Sequence, residues 1–156
     1  MHLYVTIAGM VQQAKDTDIA GLWARFMRVS QSVLAAVEGD LKAAGFPPLA
    51  WYDALLELRR AAPEGLRQFE LQEHMLLAQY NMSRLIDRLV DAGYARRQPC
   101  PEDARGQVIY LTEKGRALID AMWPAYRVAI TAHFGDRLDG RQAEALGEIL
   151  EGLRPA

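Results

Sequence analysis

The chain has 156 residues, 51% of them hydrophobic and 24% charged, with a formal net charge of −2. This is the composition of a folded globular protein large enough to bury a core without metals or bridges. Its one cysteine, Cys100, excludes an intramolecular disulfide and agrees with a reducing compartment. No stretch approaches the roughly 18 apolar residues of a membrane span. The apolar run from Leu3 to Met10 lacks the basic flank and cleavage site of a signal peptide. We therefore expect a cytoplasmic protein, with that run as an arm packed on the body or on a partner subunit.

From Ile19 the apolar residues Leu22, Trp23, Phe26, Val29, Val33, Leu34, Val37 and Leu41 recur at helical spacing, which predicts a long helix of about seven turns. Thr17 or Asp18 can cap it, and Gly45 with Pro47 and Pro48 stops it. Pro48 suits the first position of a second helix reaching Arg60, and Ala62-Pro63-Glu64-Gly65 breaks that helix. Leu66 to Phe69 reads as a short extended piece, followed by helices over about Glu70–Leu77 and Gln79–Ala92, with Gly93 as the terminator. Tyr94-Ala95-Arg96-Arg97 and Gln107-Val108-Ile109-Tyr110-Leu111 read as two strands of a hairpin around a loop of turn formers. Thr112 caps a further long helix to about Phe134, with Pro124 inside it removing a hydrogen bond and bending it. Asp139 with Gln142 forms a capping box for a last helix, whose stripe is Ala143, Leu146, Ile149, Leu150 and Leu153. The fold class is thus mainly α with a small β-hairpin.

Charge is unevenly spread. Between Arg84 and Arg116 seven Lys/Arg face five Asp/Glu, which leaves −4 for the remainder. A modestly basic segment on an acidic body is compatible with nucleic-acid contact on one face. Catalysis finds no support, because the chain has no G-x-S-x-G elbow and no phosphate-cradling glycine loop. His2, His74 and His133 are far apart, so no metal and no cofactor are expected. His133 reads as a helix-end or packing residue, and Cys100, between two prolines, as a surface thiol.

Two short helices joined by a tight turn and followed at once by a hairpin describe a winged helix-turn-helix. The second helix can enter the major groove, and a basic hairpin tip can reach the minor groove. Here Gln79, Tyr80, Asn81, Ser83 and Arg84 fall on the early turns of that helix, and Arg105 in the hairpin loop. Met82-Ser83-Arg84-Leu85-Ile86-Asp87-Arg88-Leu89, then Gly93 and Arg96-Arg97, resembles the recognition helix and exit of the MarR family. Asp103-Ala104-Arg105-Gly106 with Leu111-Thr112-Glu113-Lys114-Gly115 is similar to that family's wing signature, D-x-R-G followed by L-T-x-x-G.

The resemblance covers nearly the whole chain and implies one MarR-type domain over residues 1–156. The helices of about 17–45 and 112–154 would form a homodimer, and about 48–111 the DNA-binding lobe. It implies a ligand-responsive repressor on a pseudo-palindromic operator of double-stranded DNA. Gln79, Tyr80, Asn81, Ser83 and Arg84 would face DNA, Arg105 would contact it from the wing tip, and Asp103 would orient Arg105. A small aromatic or phenolic effector would bind in a pocket expected from Trp23, Phe26, Trp51, Tyr52 and Tyr126, with Arg25 and Arg59 as partners for an acidic group. Ala78 and Phe69 stand where the family places helix caps, each loss costing about 1 kcal/mol. That departure and the acidic total motivate an alternative, a winged-helix carrier or protein-interaction module that has lost DNA binding.

Overall fold

The computed structural model describes residues 18–78, 81–100, 102–103 and 106–154. The N-terminal arm therefore lies outside the described residues. In chain order the elements are α1 (Ile19–Ala43), α2 (Leu49–Arg60), β1 (Leu66–Arg67), α3 (Gln68–His74), α4 (Met82–Asp91), β2 (Ala95–Pro99), β3 (Gln107–Leu111), α5 (Glu113–His133), a 3₁₀ turn (Gly135–Arg137) and α6 (Gly140–Gly152). The chain divides within α1 into two compact units, one ending at Ala35 and one running from Ala36. Among the described residues no helix is long and apolar enough to cross a membrane.

In the first unit α1 starts with the Asp18 carboxylate accepting the Gly21 N–H at 2.8 Å, the capping predicted from sequence. Ile19, Leu22, Trp23, Phe26 and Val29 are exposed there, and the Trp23 and Phe26 rings pack on each other at 6.2 Å.

The second unit holds the core, in which Leu41, Leu55, Leu58, Leu71, Ile86, Leu89, Ile109, Ile119 and Met122 are fully buried. Each such side chain contributes about 1.5–3 kcal/mol of burial. α2 is its central helix, burying Leu49, Tyr52, Asp53, Ala54, Leu55, Glu57 and Leu58. The expected hairpin is present and gains a third strand. The antiparallel order is β1-β3-β2, with Leu66 and Arg97 both opposite Ile109. The extended piece read at Leu66 is thus the outer strand that fixes the lobe's first half to its wing.

α5 runs on through Pro124. His133 does serve as a helix-end residue, since its Nε2 lies 2.8 Å from Asp40 Oδ2. α6 opens with the predicted capping box, Asp139 Oδ1 accepting from Gln142 N and Gln142 Oε1 from Asp139 N, and it buries none of its residues.

Candidate nucleic-acid interface

Helix α4 owes its position to an apolar series. Met82, Leu85, Ile86 and Leu89 fall at spacings of three and four, and all are buried. Ser83, Arg84, Asp87 and Arg88 are thereby left on the exposed side. The helix begins later than the sequence pattern predicted, at Met82 instead of Gln79. The reason is Asn81, whose side-chain oxygen accepts the Arg84 N–H at 3.0 Å and so acts as N-cap. Asn81 therefore precedes the helix and does not lie on its first turn. Gln79 and Tyr80 lie outside the described residues.

The expected loss of a cap is likewise corrected for α4, which Asn81 caps, whereas the N-cap Arg67 of α3 makes no side-chain cap hydrogen bond. α3 starts at Gln68, ahead of Phe69, because the Glu70 carboxylate accepts the Arg67 N–H at 2.7 Å. It ends at His74, earlier than predicted, where Met75 turns extended.

At the other end of α4, Gly93 has φ +79°, a region closed to most side chains. Tyr94 N–H donates to Leu89 O and Gly93 N–H to Val90 O, both at 2.9 Å, which satisfies the last carbonyls in a Schellman arrangement. The L-T-x-x-G segment locks this exit in place. Thr112 Oγ1 donates to Gly93 O at 2.7 Å and accepts from Gly115 N at 3.1 Å. A side chain at Gly115 would begin 2.1 Å from the Tyr94 carbonyl oxygen, so only glycine lets α5 start against that backbone.

A groove of about 240 Å³ is lined by Asn81, Arg84, Leu85 and Arg88 together with Pro48, Ala50 and Trp51 at the start of α2. The surrounding basic residues sort by partner. Arg97 pairs with Asp87, the Arg96 guanidinium lies 4.5 Å from the Tyr110 ring centroid, and Lys114 Nζ donates to Ala92 O at 2.7 Å. Among the described residues Arg84 and Arg88 carry no ion pair. Ser83 is met by Gln68, whose Nε2 donates to its Oγ at 3.1 Å. Gln68 was missed in the sequence, where an exposed glutamine beside a predicted strand carries no signal. Only the early start of α3 brings it across the turn to α4.

In the wing, Cys100 N–H donates to Gly106 O at 2.8 Å and Gly106 N–H to Asp103 O at 2.9 Å, folding the loop back on itself. Asp103 is exposed there, and its charge acts on Arg67. Arg105 lies outside the described residues. Cys100 corrects the expected surface thiol, because it is buried and its Sγ accepts from Arg67 Nη2 at 3.1 Å. The backbone N–H of Glu102 and then Arg67 pull its pKa below the ordinary value, against burial, which pushes it up. Arg67 comes from β1, thirty-three positions away, so no local pattern could announce the pair.

Of the aromatic set expected to line an effector pocket, Tyr52 and Tyr126 meet, edge to face at 5.2 Å. Trp51 faces the opposite way, packing on Tyr94 at 5.8 Å and lining the groove beside Arg84. Tyr52 and Tyr126, with Leu49, Asp53, Leu56, Leu76 and Leu77, enclose a cavity of about 50 Å³. Burial raises the pKa of both phenols. Arg59 is engaged with Asp120 at 3.0 Å.

The family model for the MarR family matches residues 44–106, the span from the end of α1 to the wing loop. YkoM of Bacillus subtilis (strain 168), an uncharacterized HTH-type transcriptional regulator, is 32% identical over 114 residues, 72% of this chain and 71% of its own. The chain belongs to the MarR family of transcriptional regulators. The crystal structure of Sco3205, a MarR family transcriptional regulator from Streptomyces coelicolor in complex with DNA, superposes with a TM-score of 0.75 at 27% identity. The match covers 90% of this chain and 94% of that one. AbsC from Streptomyces coelicolor, also a MarR family transcriptional regulator, gives 0.75 at 26% identity over 90% and 91% of the two chains. As a member of this family the chain is a DNA-binding transcription regulator and not an enzyme, and its mainly α, winged-helix fold is that of these structures.

Proposed function

We propose that the chain acts in the cytoplasm as a homodimeric, ligand-responsive repressor that reads a pseudo-palindromic operator with α4 and the wing. The observation that carries this reading is the groove in which Asn81, Arg84 and Arg88 converge. Arg84 and Arg88 are its arginines without an ion pair among the described residues, whereas Arg97, Arg96 and Lys114 already have partners inside the fold. Exposed guanidinium groups on one side of a helix are suited to phosphate oxygens and guanine edges. In this reading Gln79, Tyr80, Asn81, Ser83 and Arg84 face DNA. Arg105 enters the minor groove, oriented by Asp103.

The exposed apolar residues of α1 and α6 support the dimer, since monomers rarely leave such stripes uncovered. For the effector, Tyr52 and Tyr126 are the supporting pair. Their cavity of about 50 Å³ is smaller than the roughly 150 Å³ that accepts a benzene ring, so an aromatic ligand must widen it to enter. The alternative of a carrier without DNA binding loses part of one motive, because Asn81 caps the recognition helix α4.

The test is fluorescence anisotropy of the purified protein on a duplex from its own promoter, across a salt series, with scrambled DNA as control. We expect a specific-to-scrambled ratio above about 10³ and affinity that falls steeply with salt. Arg84→Ala should cost about 1–3 kcal/mol of operator binding, and Arg105→Ala should weaken binding with the dimer intact. Weak binding without preference would return the carrier reading.

A further inference from the structure

Asp53 is a carboxylate in an apolar place. It sits in the middle of α2, only 5% exposed, and helps enclose the cavity lined by Leu49, Tyr52, Leu56, Leu76, Leu77 and Tyr126. A buried carboxylate is retained at a cost unless its oxygens are satisfied. The partner here is not a cation but the chain itself, since Asp53 Oδ2 accepts the Leu77 N–H at 2.8 Å.

Leu77 lies in the turn between α3 and α4. Among the described residues the last α-type bond before it is Met75 N–H to Leu71 O, and the first after it is Leu85 N–H to Asn81 O. Leu76, next to it, is 78% exposed. Four peptide units separate Leu77 from the N-cap Asn81, a reach of at most about 14 Å. Fixing the Leu77 amide to α2 therefore limits where α4 can begin.

We propose that Asp53 is a positioning residue for operator recognition: from within α2 its carboxylate holds the Leu77 amide and so sets the entry of α4. The proposal rests on the reading of α4 as the recognition helix. Asp53 touches no DNA; it acts through the turn.

Asp53→Ala and Asp53→Asn separate this role from plain core stability. Asparagine keeps an acceptor oxygen at the same place, whereas alanine removes it. Ile119→Val, on the fully buried Ile119 of α5, serves as a core control outside the lining of that cavity. All proteins are measured at a temperature where each is folded, with two readouts. These are hydrogen exchange at individual amides and affinity for the promoter duplex against its scrambled control.

In Asp53→Ala we expect Leu77 to exchange at least about tenfold faster while Leu85 and Ile86 keep their protection. Specific affinity should fall about tenfold or more, with scrambled binding within about twofold. Asp53→Asn should restore both, and Ile119→Val should leave the specific-to-scrambled ratio alone. An unchanged Leu77 rate in Asp53→Ala, an unchanged ratio, or an equal loss of ratio in Ile119→Val overturns the proposal, as does failure of Asp53→Asn to restore the ratio. A wild-type protein without operator preference overturns the recognition-helix reading and this proposal with it. A discriminating wild type with an equally discriminating Asp53→Ala overturns this proposal alone.

Discussion

Helices α4 and α6 are both short and amphipathic, yet they end in opposite situations. α4 places Met82, Leu85, Ile86 and Leu89 against the body of its own chain and leaves its polar side outward. α6 carries a comparable stripe but buries nothing. Ile149 is 59% exposed, Leu150 39% and Leu153 70%. A helix's apolar side specifies that something must cover it, not what does. For α4 the neighbours are β2 and α3, whereas for α6 a second copy of the chain is the proposed cover.

Breaking each side of this contrast should give separable results. Ile86→Ala opens a hole under α4 and should cost about 2–5 kcal/mol in denaturant unfolding; an unchanged midpoint would mean that α4 is not seated on the core. Ile149→Glu combined with Leu153→Glu should leave α4 and the wing folded while weakening self-association. We expect a rise in dimer dissociation constant of about tenfold or more, read by sedimentation equilibrium, since each 1.4 kcal/mol is about tenfold. Unaltered association would place the subunit contact elsewhere.

A finer change tests how α4 starts. Asn81→Ala removes the acceptor of the Arg84 N–H and should cost about 1 kcal/mol of stability. A neutral result would mean that the cap does not fix the helix start.

The smallest effect concerns the wing. Because folding depresses the Cys100 pKa, the folded state gives up its proton at lower pH than the unfolded chain. The stability advantage over Cys100→Ser is then present above the ordinary thiol value near 9.0 and is lost as pH falls through the depressed value. Denaturant midpoints of the two proteins over that pH window check the sign. An advantage that shrinks as pH rises would contradict the Arg67 and backbone contacts to the sulfur.

Much of this molecule was legible along the chain. The helical periods, Gly93 as terminator, Thr112 and Asp139 as caps and the two wing strands need only near neighbours in sequence. So do the motifs that carried the family resemblance. The later start of α4 is a local matter that the helical period hid, since Asn81 caps Arg84 three residues on. The other misses turn on distant partners. Gln68 reaches Ser83 across a turn. Arg67 crosses from β1 to Cys100. Trp51 turns to Tyr94 while its neighbour Tyr52 turns to Tyr126. The sequence set Trp51 and Tyr52 in one pocket because it shows their types and not which side of α2 each leaves from.

The sequence by itself determined the order of elements, the cap and terminator chemistry and the family, because these depend on contacts within about one helical turn or on contiguous motifs. Tertiary structure alone decided which arginines of the basic segment have partners inside the fold and that a buried aspartate on α2 holds the turn before α4. Those outcomes depend on groups ten or more residues apart coming into contact, and no local period encodes such a meeting.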